Sequence, residues 1–307
     1  MELWQLQQLQ GLPLEVKIQK TKLRIKEWYE HYEGKVYVSF SGGKDSTVLL
    51  HLVRCLYPDV IAVFSDTGLE FPEIKQFVNT TDNVLTIKPK KTFKQVVDEY
   101  GYPVIGKEAA DCIEGGRKGQ KYRLDRLDGT LKNKDGNKSR YDMQKYAYLM
   151  DAPFKISGKC CNELKKKPFK LLEKERNIKP MIGTMTEESQ LRTQVWLKSG
   201  CNGFLSTRPI STPISFWRES DIWEYINKYR VSYSKIYDMG YTRTGCMFCM
   251  FGVHLEKGDN RFQMMAKTHP KIHDYCINKL GCGEVLDYIG VDYKANPQMT
   301  IDDFNEQ

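Results

Sequence analysis

Three absences narrow the class of protein that this 307-residue sequence encodes. It has no apolar stretch approaching the ~18 residues that a membrane-spanning helix needs, which argues against an integral membrane protein. Residues 1–7 lack the basic and apolar blocks of a secretory signal. The chain also lacks the even cysteine count of a short secreted disulfide scaffold, because it is long and has nine cysteines. Together these absences predict a protein of the reducing cytosol that has no membrane partner.

The composition is that of an ordinary globular chain. Hydrophobic residues make up 40% and charged residues 28%, and the length suits one large or two ordinary domains. Lys and Arg number 47 against 39 Asp and Glu, which gives a formal charge of +8. This mild excess suits an anionic ligand or nucleic acid but proves neither.

Hydrophobic patterning predicts an α/β fold. Residues 1–34 have the periodicity of an amphipathic helix. After them the pattern predicts strands at residues 35–40, 60–65, 83–88 and 181–184 and helices at residues 47–56, 72–78, 92–100, 162–176, 219–229 and 261–279, the last with a break near Pro270. Strands that alternate with helices are typical of a parallel sheet.

A glycine-containing segment joins the first predicted strand to the first predicted helix after it. It consists of Ser41, Gly42, Gly43, Lys44, Asp45 and Ser46, and we call it the glycine loop. Glycines let the backbone approach phosphate oxygens, and the following helix start offers N–H donors. The loop is not a Walker A motif, because Val38 stands where the first glycine belongs and Asp45 follows the lysine. The alternative is an ordinary glycine turn.

Four of the nine cysteines form two close pairs. Cys160 and Cys161 are adjacent, and Cys246 and Cys249 form a CxxC. Four thiolates can hold tetrahedral zinc or an iron–sulfur cluster. The spacing alone favours zinc, or coincidence among nine cysteines.

The residues around these motifs resemble the iron–sulfur sulfonucleotide reductases. This family reduces adenylylsulfate (APS) or phosphoadenylylsulfate (PAPS) and belongs to the adenine-nucleotide alpha hydrolase, or PP-loop, superfamily. The resemblance runs from about residue 35 to 255 and is carried by the glycine loop and by residues 65–73, 160–169, 183–192 and 240–246. It implies an α/β, parallel-sheet PP-loop domain at residues 35–259, between a helical N-terminal extension (1–34) and a helical C-terminal tail (260–307).

The resemblance also implies the site residues. The glycine loop would bind the nucleotide, with Asp66 and Thr67 lining the adenosine pocket. The four paired cysteines would ligate one 4Fe–4S cluster, with zinc as the alternative. Lys165 would lie near cluster and substrate. Arg192 would meet a phosphate or sulfate, unless it forms a surface ion pair.

One expected part of a reductase active site, the motif that carries the nucleophile, is missing. These reductases use a cysteine nucleophile in a short tail motif, and the usual motif is absent from this sequence. Cys282 is the candidate, because its flanking glycines would expose it and make it mobile; the alternative is a cysteine in a turn. The implied reaction releases sulfite and an adenine nucleotide through a cysteine S-sulfonate, with a thioredoxin- or glutaredoxin-like donor.

Two other function classes stay open. DNA-phosphorothioation sulfurtransferases share the glycine loop and four cysteines and would use ATP to insert sulfur into nucleic acid. A non-enzymatic nucleotide-binding iron–sulfur partner protein is the third class. Residues 117–145, the basic segment, are rich in Lys, Arg, Asp, Gly and Asn and predict a solvated loop or insertion outside the resemblance. A nucleic-acid contact is the alternative function for this segment.

Overall fold

A computed structural model describes residues 1–295 of the chain. Its strands are β1 (Val36–Ser39), β2 (Ala62–Ser65), β3 (Val84–Ile87), β4 (Val104–Ile105), β5 (Lys179–Ile182), β6 (Asn202–Gly203), β7 (Ile210–Ser211) and β8 (Met250–Phe251). Its α-helices are α1 (Leu3–Gln10), α2 (Leu14–His31), α3 (Lys44–Arg54), α4 (Pro72–Asn79), α5 (Phe93–Glu99), α6 (Lys107–Arg117), α7 (Lys121–Leu127), α8 (Lys167–Arg176), α9 (Gln190–Ser199), α10 (Glu219–Tyr229), α11 (Arg261–Thr268), α12 (Pro270–Asp274) and α13 (Cys282–Tyr288).

The chain forms two compact units, each assembled from several stretches. Unit 1 contains Met1–Asp66, Glu70–Pro89 and Lys165–Thr244. Unit 2 contains Thr67–Leu69, Lys90–Leu164 and the described residues from 245 onward. The linear division into residues 1–34, 35–259 and 260–307 stays a prediction, and its last twelve residues lie outside the described part.

Unit 1 is built on a six-stranded, mostly parallel sheet. Its strand order is β3-β2-β1-β5-β7-β6, and only β6 runs antiparallel to its neighbour. Val38 in the central β1 pairs with Ala62 on one side and Met181 on the other. Val36, Tyr37 and Val38 are buried, as expected of a strand inside a parallel sheet. The predicted α/β class is confirmed.

The N-terminal helices belong to unit 1. Ile18, Ile25 and Trp28 of α2 are buried on the predicted face, and the Trp28 ring stacks on Phe204 at 5.2 Å. Lys17 is also buried, and its Nζ lies 2.6 Å from Oδ2 of Asp221 in α10. This ion pair ties the first residues of the unit to a helix two hundred positions later.

Unit 2 is mainly helical, with β4 and β8 as a short parallel pair. The prediction of a solvated loop for the basic segment is wrong for its first part, because Lys121–Leu127 form α7. Buried Arg126 holds this helix in place: its NH2 group lies 2.6 Å from Glu108 Oε1, and its Nε donates to the Tyr141 carbonyl oxygen.

Most boundaries predicted from the sequence agree with the structure within a few residues. The Thr92–Gln95 capping box starts α5, and Pro72 occupies the first turn of α4. The helix α3 begins at Lys44, three residues earlier than predicted, so the end of the glycine loop is its first turn. Within residues 1–295 no helix has the length and apolarity needed to cross a bilayer.

Candidate functional site

The glycine loop lies in unit 1 between β1 and α3 and needs glycine at two positions. Gly42 has φ +71°, and a Cβ there would stand 2.9 Å from Cγ2 of Ile74 in α4. A Cβ on Gly43 would stand 2.6 Å from Thr244 Oγ1 and 3.2 Å from the Tyr237 hydroxyl. The neighbouring side chains of the protein therefore already exclude larger residues from both positions, before any ligand is considered.

Three backbone N–H groups of the loop donate to hydroxyl oxygens. Ser41 N donates to Ser46 Oγ at 3.2 Å, and Gly43 N donates to Ser41 Oγ at 3.3 Å. Lys44 N, the first residue of α3, donates to the Tyr237 hydroxyl at 2.8 Å. Free N–H groups at a helix start are a common anion site, and here hydroxyl oxygens accept from them.

Sequence reasoning missed Tyr237. It lies in a short 3₁₀ helix, Lys235–Met239, and its hydroxyl is 3.4 Å from Thr244 Oγ1. Burial is the main cause of a raised pKa for Tyr237, so its hydroxyl stays protonated at neutral pH. Tyr237 lies three residues before Gly240, where the block that resembles the reductases begins, and this proximity could have identified it as a candidate site residue.

The two charged side chains of the loop lie close together, with Lys44 buried and Asp45 half-buried. Lys44 is 5% exposed, and its Nζ lies 3.1 Å from Glu219 Oε1 and 3.4 Å from Asp45 Oδ1. Burial alone would lower the pKa of Lys44, but Asp45, Tyr237 and Glu219 outweigh it and raise that pKa. Burial also raises the pKa of Asp45, and the nearby charge of Glu188 adds to the effect. The loop thus holds a firmly protonated lysine beside carboxylates.

Asp66 and Thr67 follow the carboxyl end of β2, as the sequence predicted. In unit 1, Asp66 Oδ1 is 2.8 Å from Lys75 Nζ. In unit 2, Thr67 is buried, and its Oγ1 accepts from the Leu69 N–H at 3.3 Å, which closes a local turn. Their predicted contact with adenosine stays a prediction.

Lys165 and Arg192 have acidic partners in unit 1. Lys165 is the residue before the last in a π-helical turn, Asn162–Lys166, and its Nζ lies 3.9 Å from Glu70 Oε1. Arg192 pairs with Glu188 four residues earlier, which is the ion pair that the sequence left open as an alternative. An anionic ligand would have to compete with these carboxylates.

All four paired cysteines lie in unit 2. Cys249 N donates to the Cys246 carbonyl oxygen at 3.1 Å, which closes the CxxC turn. Burial, and next the charges of Cys246 and Cys161, raise the pKa of Cys249 to about 11. The Cys246 and Cys161 thiols are therefore each near enough to influence Cys249.

The donor set fits a sulfur-ligated centre better than an oxygen-ligated one, since it consists only of thiols. In the described part of the chain, however, no group of three or more His, Cys, Asp or Glu side chains is arranged to hold one metal ion. A 4Fe–4S cluster is chemically compatible with these cysteines, and the ligand assignment stays a prediction.

Cys282 corrects a sequence expectation. It was expected to be exposed and mobile between glycines, but it is fully buried as the first residue of α13. Gly281 before it has φ +67°. The Cys282 thiol lies beside Cys276, whose pKa rises because of burial and next because of the hydrogen bond between the two thiols. The two side chains form a buried thiol pair in unit 2.

Comparison with known proteins gives one family match. The chain matches the phosphoadenosine phosphosulfate reductase domain over residues 35–110 and 119–251. This match contains residues 119–145, so the expectation that the basic segment lies outside the family resemblance is wrong for most of it.

Similar curated proteins include reductases and proteins of no described activity. An adenosine 5'-phosphosulfate reductase of Bacillus cytotoxicus is 22% identical over 264 residues, covering 83% of this chain and 91% of that protein. A Bacillus cereus enzyme of the same name is 26% identical over 79% of this chain and 84% of its own length. An uncharacterized Methanocaldococcus jannaschii protein is 25% identical over 86% of this chain. The chain spans 53% of that relative and 38% of a second one from the same organism.

Two solved structures are similar at low scores. A PAPS reductase of Candida auris in a phosphate complex has 15% identity and a TM-score of 0.43, over 80% of this chain and 96% of that one. The U34-tRNA thiolase NcsA of Methanococcus maripaludis, with its [4Fe-4S] cluster, has 14% identity and a TM-score of 0.38, over 94% of this chain and 85% of that one.

Proposed function

The chain belongs to the phosphoadenosine phosphosulfate reductase domain family, and from this premise we propose that it reduces an adenylated sulfate to sulfite and the adenine nucleotide. One observation carries the proposal: consecutive N–H groups at the start of α3 are held by hydroxyl oxygens that an anionic oxygen can replace. APS and PAPS both carry such oxygens next to an adenosine.

Binding would begin at the glycine loop. A phosphate or sulfate oxygen would take the place of the Tyr237 hydroxyl at Lys44 N and of Ser41 Oγ at Gly43 N. The protonated Lys44 would then exchange Glu219 for the ligand. Because the lysine is already buried and charged, it needs no further desolvation to receive an anion.

The Cys160, Cys161, Cys246 and Cys249 thiolates would hold a 4Fe–4S cluster, which when bound would tune the electrostatics of the site rather than pass electrons. Zinc is the alternative occupant of the same thiolates. Lys165 and Arg192 are proposed to meet the anionic groups of the substrate, each in exchange for its present carboxylate partner.

Cys282 is proposed as the nucleophile. Its thiolate would attack the sulfur, the bond from sulfur to the bridging oxygen would break, and the nucleotide would leave with its electron pair. This leaves an S-sulfonate on Cys282. A second thiol, from a thioredoxin- or glutaredoxin-like donor, would attack the Cys282 sulfur, form a disulfide and release sulfite. Since Cys282 is fully buried, the segment at Gly281 must open before the attack.

The test separates binding from chemistry. Calorimetry with APS, PAPS and ATP measures the nucleotide affinity of the glycine loop. Gly43→Val should weaken this binding by at least ~1.4 kcal/mol, or tenfold. Mass spectrometry after incubation with APS or PAPS without reductant should find a sulfonate on the peptide containing Cys282. Cys55→Ser, which alters the exposed cysteine, is the matched control. With a thioredoxin-like donor added, sulfite release by Cys282→Ser would reject Cys282 as the nucleophile. Absence of sulfite from both the unaltered protein and Cys282→Ser would reject the reductase function.

A second candidate is ATP-dependent sulfur transfer to nucleic acid. The loop carboxylate Asp45, close to the charges of Glu188 and Glu219, favours it, because Mg²⁺–ATP needs acidic ligands. Strict magnesium dependence and pyrophosphate release from ATP would support this candidate. Nucleotide binding without turnover would instead support the non-enzymatic partner protein.

A further inference from the structure

The basic segment (residues 117–145) concentrates the positive charge of the chain. It contains ten Lys and Arg residues and four Asp residues, a surplus of six against +8 for all 307 residues. Four of its lysines are exposed and form no ion pair with any other residue of the described range 1–295: Lys121, Lys132, Lys134 and Lys145. Their charge is therefore available to an anionic partner.

The exposed apolar side chains of unit 2 are mostly tyrosines. Tyr122 is 52% exposed, Tyr141 45% and Tyr148 43%. The large exposed apolar residues of unit 1 are instead mainly aliphatic, such as Leu191 and Val195. An exposed tyrosine ring offers a flat surface on which a planar group can stack.

Cations accompany these rings. The Arg123 guanidinium lies 5.8 Å from the Tyr122 ring centre, Arg140 lies 4.9 Å from that of Tyr141, and Lys145 lies 4.7 Å from that of Tyr146. The basic segment and the residue after it therefore place positive groups next to aromatic rings at three positions. Anionic backbones that carry planar bases have the matching combination of charge and planar ring.

The segment is held in a defined arrangement. Arg126 lies 5.7 Å from the Tyr122 ring centre and donates to the Tyr141 carbonyl oxygen, so one buried guanidinium fixes both tyrosines. Arg117 donates to four carbonyl oxygens between residues 149 and 154. Arg117 and Arg126 thus stabilise the fold of the segment and are not counted among the cations available to a ligand.

We propose that the exposed side chains of the basic segment and of neighbouring Tyr148, which we call the tyrosine–lysine face, bind single-stranded nucleic acid; its members are Lys121, Lys132, Lys134, Lys145, Tyr122, Tyr141 and Tyr148. Lysines would contact phosphates, and Tyr122, Tyr141 and Tyr148 would stack on unpaired bases. A duplex keeps its bases stacked inside, so it would use the lysines alone. A polyanion without bases would do the same. The inference does not depend on nucleotide binding by the glycine loop.

Fluorescence anisotropy with labelled 20-nucleotide single strands, as DNA and as RNA, tests the proposal over a salt series. The variant K121Q/K132Q/K134Q/K145Q should bind roughly tenfold or more weakly. The plot of log association constant against log salt concentration should become less steep, its slope decreasing in magnitude by about 2–3. The control K20Q/K26Q/K174Q/K198Q removes four exposed lysines from unit 1 and should change neither quantity. Equal effects of the two variants would overturn the assignment of the face.

Stacking is tested separately. Tyr122→Leu and Tyr141→Leu should each weaken single-strand binding about fivefold or more, while the Phe variants keep the affinity. Tyr229→Leu is the control, because Tyr229 in unit 1 is 43% exposed and also lies under a lysine. Equal affinity for single strand, duplex and heparin, or no effect of the Leu variants, would overturn the single-strand proposal. The DNA and RNA arms identify which strand is preferred.

Discussion

Replacing Gly42 by alanine should destabilise unit 1 through two separable effects. The first is backbone strain, since φ is +71° and a left-handed alanine costs about 1–2 kcal/mol. The second is steric, because the new Cβ would stand 2.9 Å from Ile74 Cγ2 and 3.0 Å from Val78 Cγ2. Both side chains are buried and cannot move aside freely, so overpacking adds about 1–3 kcal/mol. The total is about 2–5 kcal/mol.

Gly34→Ala isolates the cost of backbone strain, so the difference between the two variants gives the steric effect. Gly34 has φ +74°, and a Cβ there meets the phenolic end of Tyr29, with the hydroxyl at 3.0 Å. Since a flexible side-chain end can shift, this variant should show the backbone cost alone. The free energy of unfolding should therefore differ between the two variants by about 1–3 kcal/mol.

Tryptophan fluorescence in a urea titration is a selective assay for this prediction. All five tryptophans lie in unit 1, at positions 4, 28, 196, 217 and 223. The signal therefore reports the unit that contains both glycines. Equal losses of stability in Gly42→Ala and Gly34→Ala would refute the argument that contact with α4 requires glycine at position 42.

Three further outcomes are expected. Lys17→Met should lower the free energy of unfolding by about 3–5 kcal/mol by leaving Asp221 buried without its cation, as urea titration will measure. Cys246→Ser should lose the iron found after anaerobic purification while Cys55→Ser retains it, and stoichiometric zinc in the unaltered protein would contradict the cluster. Glu114→Gln should destabilise unit 2 by about 1–3 kcal/mol at neutral pH, because hydrogen bonds from two lysines and a serine overcome burial and lower the Glu114 pKa to about 2. A group with a lowered pKa contributes stability that is fully present above its usual pKa of 4.5 and is lost as the pH falls through about 2. Unfolding followed by circular dichroism should therefore show the stability difference between the unaltered protein and Glu114→Gln narrowing from pH 4.5 to about pH 2.

The sequence determined the features that depend on neighbouring residues. The helices predicted to start at residues 72 and 92 begin with Pro72 in the first turn and with the Thr92–Gln95 capping box, and each of these signals acts within one turn. The run at residues 36–39 predicted the central strand because a strand buried on both faces is apolar along its length. The glycine loop and the family resemblance were visible for the same reason: their residues are contiguous.

Only the tertiary structure decided which distant residues meet. Tyr237 reaches Lys44 across 193 positions, and Lys17 reaches Asp221 across 204, so no local pattern could reveal either contact. The glycines around Cys282 suggested exposure, but packing beside Cys276 buried it. Composition suggested a solvated loop at residues 121–127, yet one buried guanidinium, paired with Glu108, holds a helix there. In each case the deciding energy comes from burial and pairing between segments that the chain order keeps apart.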